Sequence, residues 1–81
     1  APQDTEARRA LAMVLRSRGR PAEAAEALRP VADTMPVPCD LGRILALYLK
    51  QPEPARPLLQ ACWDAGGRIS EPDRAVLRNA P

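Results

Sequence analysis

The chain has no histidine and no phenylalanine, and its aromatic residues are limited to Tyr48 and Trp63. Without histidine the chain lacks the side chain that most often serves as a general acid or base. The sequence also contains no glycine-rich phosphate loop and no metalloprotease motif. We therefore expect no catalysis by this chain and no cofactor.

The composition also argues against a metal site, a membrane-spanning helix and a dedicated nucleic-acid binder. Two cysteines without histidine do not complete a tetrahedral zinc site, so no metal site is expected. No apolar run reaches the roughly 18 residues that a membrane-spanning helix requires. The net charge is +2, from 12 basic and 10 acidic residues, which is too balanced for a dedicated nucleic-acid binder.

What is abundant favours helices. Alanine and leucine must supply the core, and β-branched residues never alternate along a run, as they do in strands. A chain of 81 residues buries only about 60% of its unfolded surface, so it needs additional stabilisation. The frequent Ala, Arg and Pro are typical of GC-rich genomes and indicate a bacterial source.

The first helical stretch recurs 34 residues later, in its charged as well as its apolar positions. The matched pairs are Glu6/Asp40, Arg9/Arg43, Leu11/Leu45, Ala12/Ala46, Met13/Leu47, Leu15/Leu49 and Arg16/Lys50. A period between 20 and 50 residues is typical of stacked supersecondary units, because one unit cannot bury its own apolar face.

Capping and breaking residues predict the helix boundaries. Asp4 caps a first helix, which stops near Ser17 with Gly19 as its terminator. Pro21 opens a second helix, in which Pro30 predicts a kink or an early end. The first helix is expected to bury the stripe Ala7, Ala10, Leu11, Val14 and Leu15.

The same kinds of residue predict the helix boundaries in the second half of the chain. Residues 34–38 are expected to form a linker, and Asp40 to cap a third helix. Pro54 should open a fourth helix with Pro57 in its first turn, and Gly66 and Gly67 should end it. The predicted stripe of the third helix is Leu41, Ile44, Leu45, Tyr48 and Leu49, and Ser70 and Asp73 resemble a capping box of a fifth helix.

This pattern resembles the tetratricopeptide repeat (TPR), a 34-residue helix–turn–helix unit. In the first repeat the marks are Leu11-Ala12, Leu15, Gly19, Ala24 and Pro36. The second repeat keeps Leu45-Ala46 and Leu49, but Pro52 and Glu53 replace the turn glycine. Leu58 then stands where a small residue is expected, unless a three-residue deletion brings Ala55 there.

The resemblance implies an all-α fold of antiparallel helical hairpins, stacked as a short TPR-like α-solenoid. Its units are a repeat at about 5–38, a repeat at about 39–69, and a capping or third-repeat helix at about 70–80. Solenoids usually need three or more repeats. The chain is therefore expected to be a fragment of a longer protein, to pair with itself, or to rely on a disulfide.

The resemblance also implies a concave groove lined by the first helix of each repeat. It assigns to this groove Glu6, Arg9, Met13, Arg16 and Ser17, with Asp40, Arg43, Leu47, Lys50 and Gln51 from the second repeat. Helical spacing independently places residues 9, 13 and 16 on one face. Four cations there favour an acidic protein or peptide partner. The alternative is that these charges only solvate an outer face.

Cys39 and Cys62 fall at opposite ends of the third and fourth helices, which an antiparallel hairpin brings together. A disulfide would indicate a periplasmic or extracellular protein. Two separate buried thiols, in a cytoplasmic protein, are the alternative.

The leading functional hypothesis is a protein–protein interaction module, such as a scaffold, adaptor or chaperone segment. One rival is a small nucleic-acid-binding module that uses the five arginines Arg8, Arg9, Arg16, Arg18 and Arg20. That rival lacks the aromatic stacking platforms typical of single-strand binders. Another is a regulatory repeat segment of a larger enzyme.

Overall fold

The computed structural model describes residues 4–78, and within this range the chain forms helices and turns without a strand. The helices are α1 (Thr5–Ser17), α2 (Pro21–Leu28), α3 (Val37–Arg43), α4 (Pro52–Asp64) and α5 (Glu71–Arg78). A 3₁₀ turn, Arg29–Val31, extends α2, and a π-helical segment, Ile44–Tyr48, extends α3. The all-α prediction is confirmed. No helix within residues 4–78 has the length and apolar character needed to cross a bilayer.

The first hairpin has the predicted caps. Oδ1 of Asp4 accepts hydrogen bonds from the backbone N–H groups of Glu6 (3.1 Å) and Ala7 (3.3 Å). Gly19 follows α1 with a φ of +76°, in the left-handed region that glycine adopts without strain. α2 begins at Pro21 and changes to 3₁₀ geometry just before Pro30. The predicted early end is confirmed.

The boundaries of α3 differ from prediction. α3 already begins at Val37, so the linker is shorter than residues 34–38 and Asp40 lies inside the first turn instead of capping it. Pro38 is tolerated there because first-turn N–H groups have no intrahelical acceptor. Pro36 occupies the cap position, and the Met35–Pro36 peptide bond is cis.

α4 begins at Pro52, so the prediction of a start at Pro54 is wrong. Pro57 is consequently the sixth residue of the helix and lies beyond its first turn. It leaves the Glu53 carbonyl without its usual intrahelical donor. The end of α4 is as predicted, since it stops at Asp64 and Gly66 has a φ of +83°.

The second helices of the two hairpins repeat at 31 residues, not 34. Pro21/Pro52, Ala24/Ala55 and Leu28/Leu59 are the matched pairs, and Ala24, Ala55, Leu28 and Leu59 are all fully buried. The turns agree, because the cap residues Arg20 (φ −121°, ψ 61°) and Gln51 (φ −119°, ψ 76°) have similar backbone angles. Within this chain the two second helices therefore match when three residues are omitted from the second hairpin, and Ala55 then corresponds to Ala24.

Both hairpins are antiparallel. In the first, Arg8 Nη1 near the start of α1 donates to the Ala27 carbonyl near the end of α2 (3.1 Å). In the second, Gly42 lies so close to α4 that a Cβ at this position would be 2.9 Å from Leu59 Cδ2. One apolar core joins the hairpins, and its large members are Leu28, Val31, Val37, Leu41, Ile44, Leu45, Leu59 and Ile69.

The predicted stripe of α1 is wrong in part. Ala12 is the buried residue of this helix and Leu15 packs partly against the core, whereas Ala7, Ala10, Leu11 and Val14 are exposed. Tyr48, predicted to be buried, is 47% exposed. The reason for the first error is that α1 carries apolar residues on two faces, and only one of them meets the rest of the described chain.

Ser70 and Asp73 organise the start of α5. Ser70 Oγ donates to Asp73 Oδ2 (2.9 Å), and Asp73 is buried. The two predicted residues are brought together, but through a bond between their side chains and not through the side-chain-to-backbone bonds of a capping box. Glu71 is the first residue of α5, and a hydrogen bond from Arg78, at the end of the helix, lowers its pKa, assisted by the positive charges of Arg78 and Arg74.

A candidate binding cleft

A cleft lies between the first helices of the two hairpins. One wall is α1, and the other is α3 together with the start of the π segment. Five of the ten residues predicted for the groove line it, namely Arg9, Met13, Arg16, Asp40 and Arg43. Ala12, Leu28 and Ile44 complete the lining.

The cleft has an apolar floor under a charged rim. Ala12, Leu28 and Ile44 are each buried, and they come from three different segments of the chain. Ala12 is small enough to leave space between the two first helices. Met13 is exposed beside the floor and adds a flexible apolar side chain. Such a lining suits a partner side chain that is apolar along its stem and charged at its tip.

An ion pair crosses the cleft from one hairpin to the other. Arg9 Nε of α1 donates to Asp40 Oδ2 of α3 at 2.8 Å. Their side chains are 35% and 41% exposed, so water screens the pair substantially. The pair neutralises one of the predicted cations and links α1 to α3 across the cleft.

The other two arginines of the cleft have no carboxylate partner among the residues that the structure describes. The Arg16 guanidinium lies over the ring of Tyr48, 5.6 Å from its centroid, in a cation–π contact. Arg43 is exposed, and within residues 4–78 it forms no ion pair. With Arg9 and Asp40 cancelling, the cleft carries an excess of two positive charges.

The remaining predicted groove residues lie outside this lining. Glu6 and Leu47 do not reach the cleft, and Gln51 is the cap residue of α4. Ser17 Oγ donates to the Met13 and Val14 carbonyls within α1. Lys50 lies in the turn between the π segment and α4, with a φ of +57°. The turn arrives three residues early, so Lys50 takes the place of Gly19 and not that of Arg16.

Cys39 and Cys62 form a disulfide, with their Sγ atoms 2.10 Å and their Cα atoms 5.0 Å apart. It joins the start of α3 to the end of α4. Gly67 packs directly against it, because a Cβ at this position would lie 2.6 Å from Cys62 Sγ and 3.0 Å from Cys39 Sγ. The bridged alternative, rather than two separate thiols, is the one found in this chain.

Most of the arginines invoked for nucleic-acid binding have partners within the chain. Arg8 donates to a carbonyl of α2, Arg9 pairs with Asp40, and Arg20 lies 3.3 Å from Glu23. Arg16 covers Tyr48. The basic residues of α1 therefore do not form one free phosphate-binding row.

Sequence reasoning missed the floor of the cleft and the role of Tyr48. The 34-residue pairing of Ala12 with Ala46 marked a small residue, but nothing in the pattern placed Leu28 beneath it. Tyr48 was assigned to the core, and its spacing from Arg16 carries no local signal of their contact. Comparisons of the chain with protein-family models, curated proteins and solved structures gave no match.

Proposed function

We propose that the chain is a TPR-like helical repeat module that binds an acidic segment of a protein or peptide in the cleft between α1 and α3. The observation that carries this proposal is the meeting of Arg9, Met13, Arg16, Asp40 and Arg43 around one apolar floor. In this proposal the chain has no catalytic activity of its own.

The balance of charge in the cleft supports an acidic ligand. Arg43 and Arg16 have no carboxylate partner within the described chain, and an arginine fork holds a carboxylate through two parallel hydrogen bonds. The apolar floor and Met13 would contact the aliphatic part of the same segment. A peptide with acidic and apolar residues in alternation fits both features.

The ion pair between the two hairpins also supports the repeat assignment. Arg9 and Asp40 occupy positions that the 34-residue repeat assigns to first helices, and they pair across the junction of the two hairpins. The solenoid arrangement is part of the proposal, and so is an oxidising compartment such as the periplasm, which the disulfide favours.

The test begins with an array of random nonapeptides that carries acidic, basic and neutral sequences in equal shares. The labelled protein is expected to retain mainly acidic peptides. The best peptide is then titrated by fluorescence anisotropy against the native protein and Arg43→Glu. Loss of a charge-assisted pair worth ~1.5–3 kcal/mol predicts a fall in affinity of about 10- to 100-fold.

Arg68→Glu is the matched control. Arg68 is exposed and lies outside the lining of the cleft, and its reversal changes the net charge by the same amount. Retained peptides without acidic enrichment, or an equal loss of affinity in both variants, would contradict the proposal. A titration with arbitrary duplex DNA at about 50 mM salt tests the nucleic-acid rival, since phosphate contacts are strongest at low salt.

A further inference from the structure

One face of α1 exposes an apolar stripe to solvent. Ala7, Leu11 and Val14 follow one another at spacings of four and three residues, which places them on one side of the helix. Leu11 is 50% and Val14 45% exposed. This face turns away from the binding cleft, because residues at positions 9, 13 and 16 lie on the opposite side of the helix.

The internal repeat indicates that a helix normally covers this stripe. Leu45 is the counterpart of Leu11 and is only 1% exposed, in a segment that packs against α2 of the first hairpin as well as against α4 and α5. No helix takes the place of α2 beside Leu11 in the part of the chain that the structure describes. The position that is buried at Leu45 is therefore uncovered at Leu11 within residues 4–78.

Charged residues at the two ends of the stripe indicate which partner binds to this face of α1. Asp4 lies seven residues before Leu11 and Arg18 seven residues after it, so both fall on the same face two turns away. Asp4 uses only Oδ1 to cap α1, which leaves Oδ2 for another donor. Arg18 is exposed and has no ion pair within residues 4–78.

A helix that is acidic at one end of an apolar stripe and basic at the other complements an antiparallel copy of itself. We propose that this face of α1 is a homodimer interface, with the twofold axis passing beside Leu11. Leu11 then meets Leu11 of the second copy, Val14 meets Ala7, and Asp4 meets Arg18. Such an interface is isologous and closes at two subunits.

The expected dimer is weak. α1 has 13 residues and is about 20 Å long, so a stripe about 10 Å wide buries on the order of 200 Å² from each copy. Stable interfaces bury about 800 Å² per partner. The dimer should therefore form reversibly at high micromolar concentration. Because the cleft lies on the other side of α1, each copy keeps its cleft open.

Sedimentation equilibrium up to about 1 mM protein tests the association, since a Kd near that value still gives a large dimer fraction. The native protein should fit a monomer–dimer equilibrium, and Leu11→Glu should remain monomeric. Met13→Glu introduces the same charge at an exposed residue of the opposite face, and its dimerisation should be unchanged. Circular dichroism establishes that each variant is folded.

Cysteine crosslinking tests the symmetry. Leu11→Cys places two thiols on the axis and should give a covalent dimer under mild oxidation. Val14→Cys should crosslink far less, because its thiol faces Ala7. Arg18→Glu provides a test independent of Leu11, since it sets two carboxylates opposite each other and should weaken the dimer at least tenfold. A native protein that stays monomeric, association unaffected by Leu11→Glu and Arg18→Glu, or equal crosslinking at both cysteines would overturn the proposal.

Discussion

Lys50 occupies the same place in its turn as Gly19, and both residues have a positive φ, +57° and +76° respectively. The two residues lie 31 positions apart, although Lys50 pairs with Arg16 in the 34-residue repeat of the first helices. The three missing residues are therefore lost at the end of the second repeat's first helix. The turn itself keeps the geometry of the first hairpin.

Lys50→Gly should stabilise the protein. A residue with a Cβ is destabilised by about 1–2 kcal/mol in the left-handed region, and glycine avoids this cost. Part of the gain is offset because glycine loses more conformational entropy on folding. We expect a net gain of ~0.5–1 kcal/mol in the free energy of unfolding by urea titration. Gly19→Ala should show the opposite sign at the equivalent position, and a loss of stability in both variants would contradict the equivalence of the turns.

Removal of the disulfide should lower the free energy of unfolding by about 3 kcal/mol. The bridge joins residues that are 23 positions apart in the sequence, and without it the loop between them gains conformational freedom in the unfolded chain. The measurement compares urea unfolding of the native protein with that of Cys39→Ala combined with Cys62→Ala. Addition of a reductant should destabilise the native protein and leave the double variant unchanged. A similar response of both proteins to the reductant would show that the bridge is not the source of the effect.

Gly67→Ala should destabilise the bridged protein by about 2 kcal/mol, because the added methyl group overlaps both sulfur atoms and the Cys62 carbonyl. In the background that lacks both cysteines the cost should be smaller, since two of the three obstacles are gone. The difference between the two backgrounds is a coupling free energy. Thermal or urea unfolding of the four proteins in this cycle gives its value, and a coupling of zero would contradict the observed packing.

Asp40→Asn should strengthen the binding of acidic peptides. The substitution releases Arg9 from its ion pair and adds one positive charge to the cleft. An exposed pair is worth ~0.2–1 kcal/mol, so the affinity should rise by a factor of up to about 5, with a similarly small loss of stability. Anisotropy titration measures the affinity, and Asp33→Asn, at an exposed residue outside the cleft lining, is the control for net charge. Weaker binding by Asp40→Asn would mean that Asp40 itself contacts the ligand.

Features that depend on local chemistry were predictable from the sequence. Asp4, Gly19 and Pro21 act through caps and turns a few residues long, and each has its predicted position. Helical spacing placed Arg9, Met13 and Arg16 on one face, and the repeat resemblance added Asp40 and Arg43, so these five residues of the cleft were also predictable. The approach of Cys39 to Cys62 followed from the antiparallel geometry of a hairpin.

Features that depend on packing between segments were not predictable in the same way. Periodicity did not reveal which apolar face of α1 is buried, since Leu11 and Ala12 both satisfy it and only contact with other helices distinguishes them. The start of α4 was misplaced because Pro52 and Pro54 are equally acceptable in a first turn. Arg8 is partly buried and donates to a carbonyl of α2, a contact that has no signal in the local sequence.

The disulfide lies entirely within the second hairpin, and this gives the two halves of the molecule different resistance to opening. The first hairpin is held by side-chain packing and by hydrogen bonds such as that from Arg8 to Ala27, whereas the second is also closed covalently. Local opening should therefore begin at α1 and α2 and leave the α3–α4 pair intact. Under native conditions, backbone amides of α1 should exchange with deuterium sooner than those of α4. The half of the cleft carried by α1 is accordingly the more adaptable half, and a partner that orders it would slow this exchange.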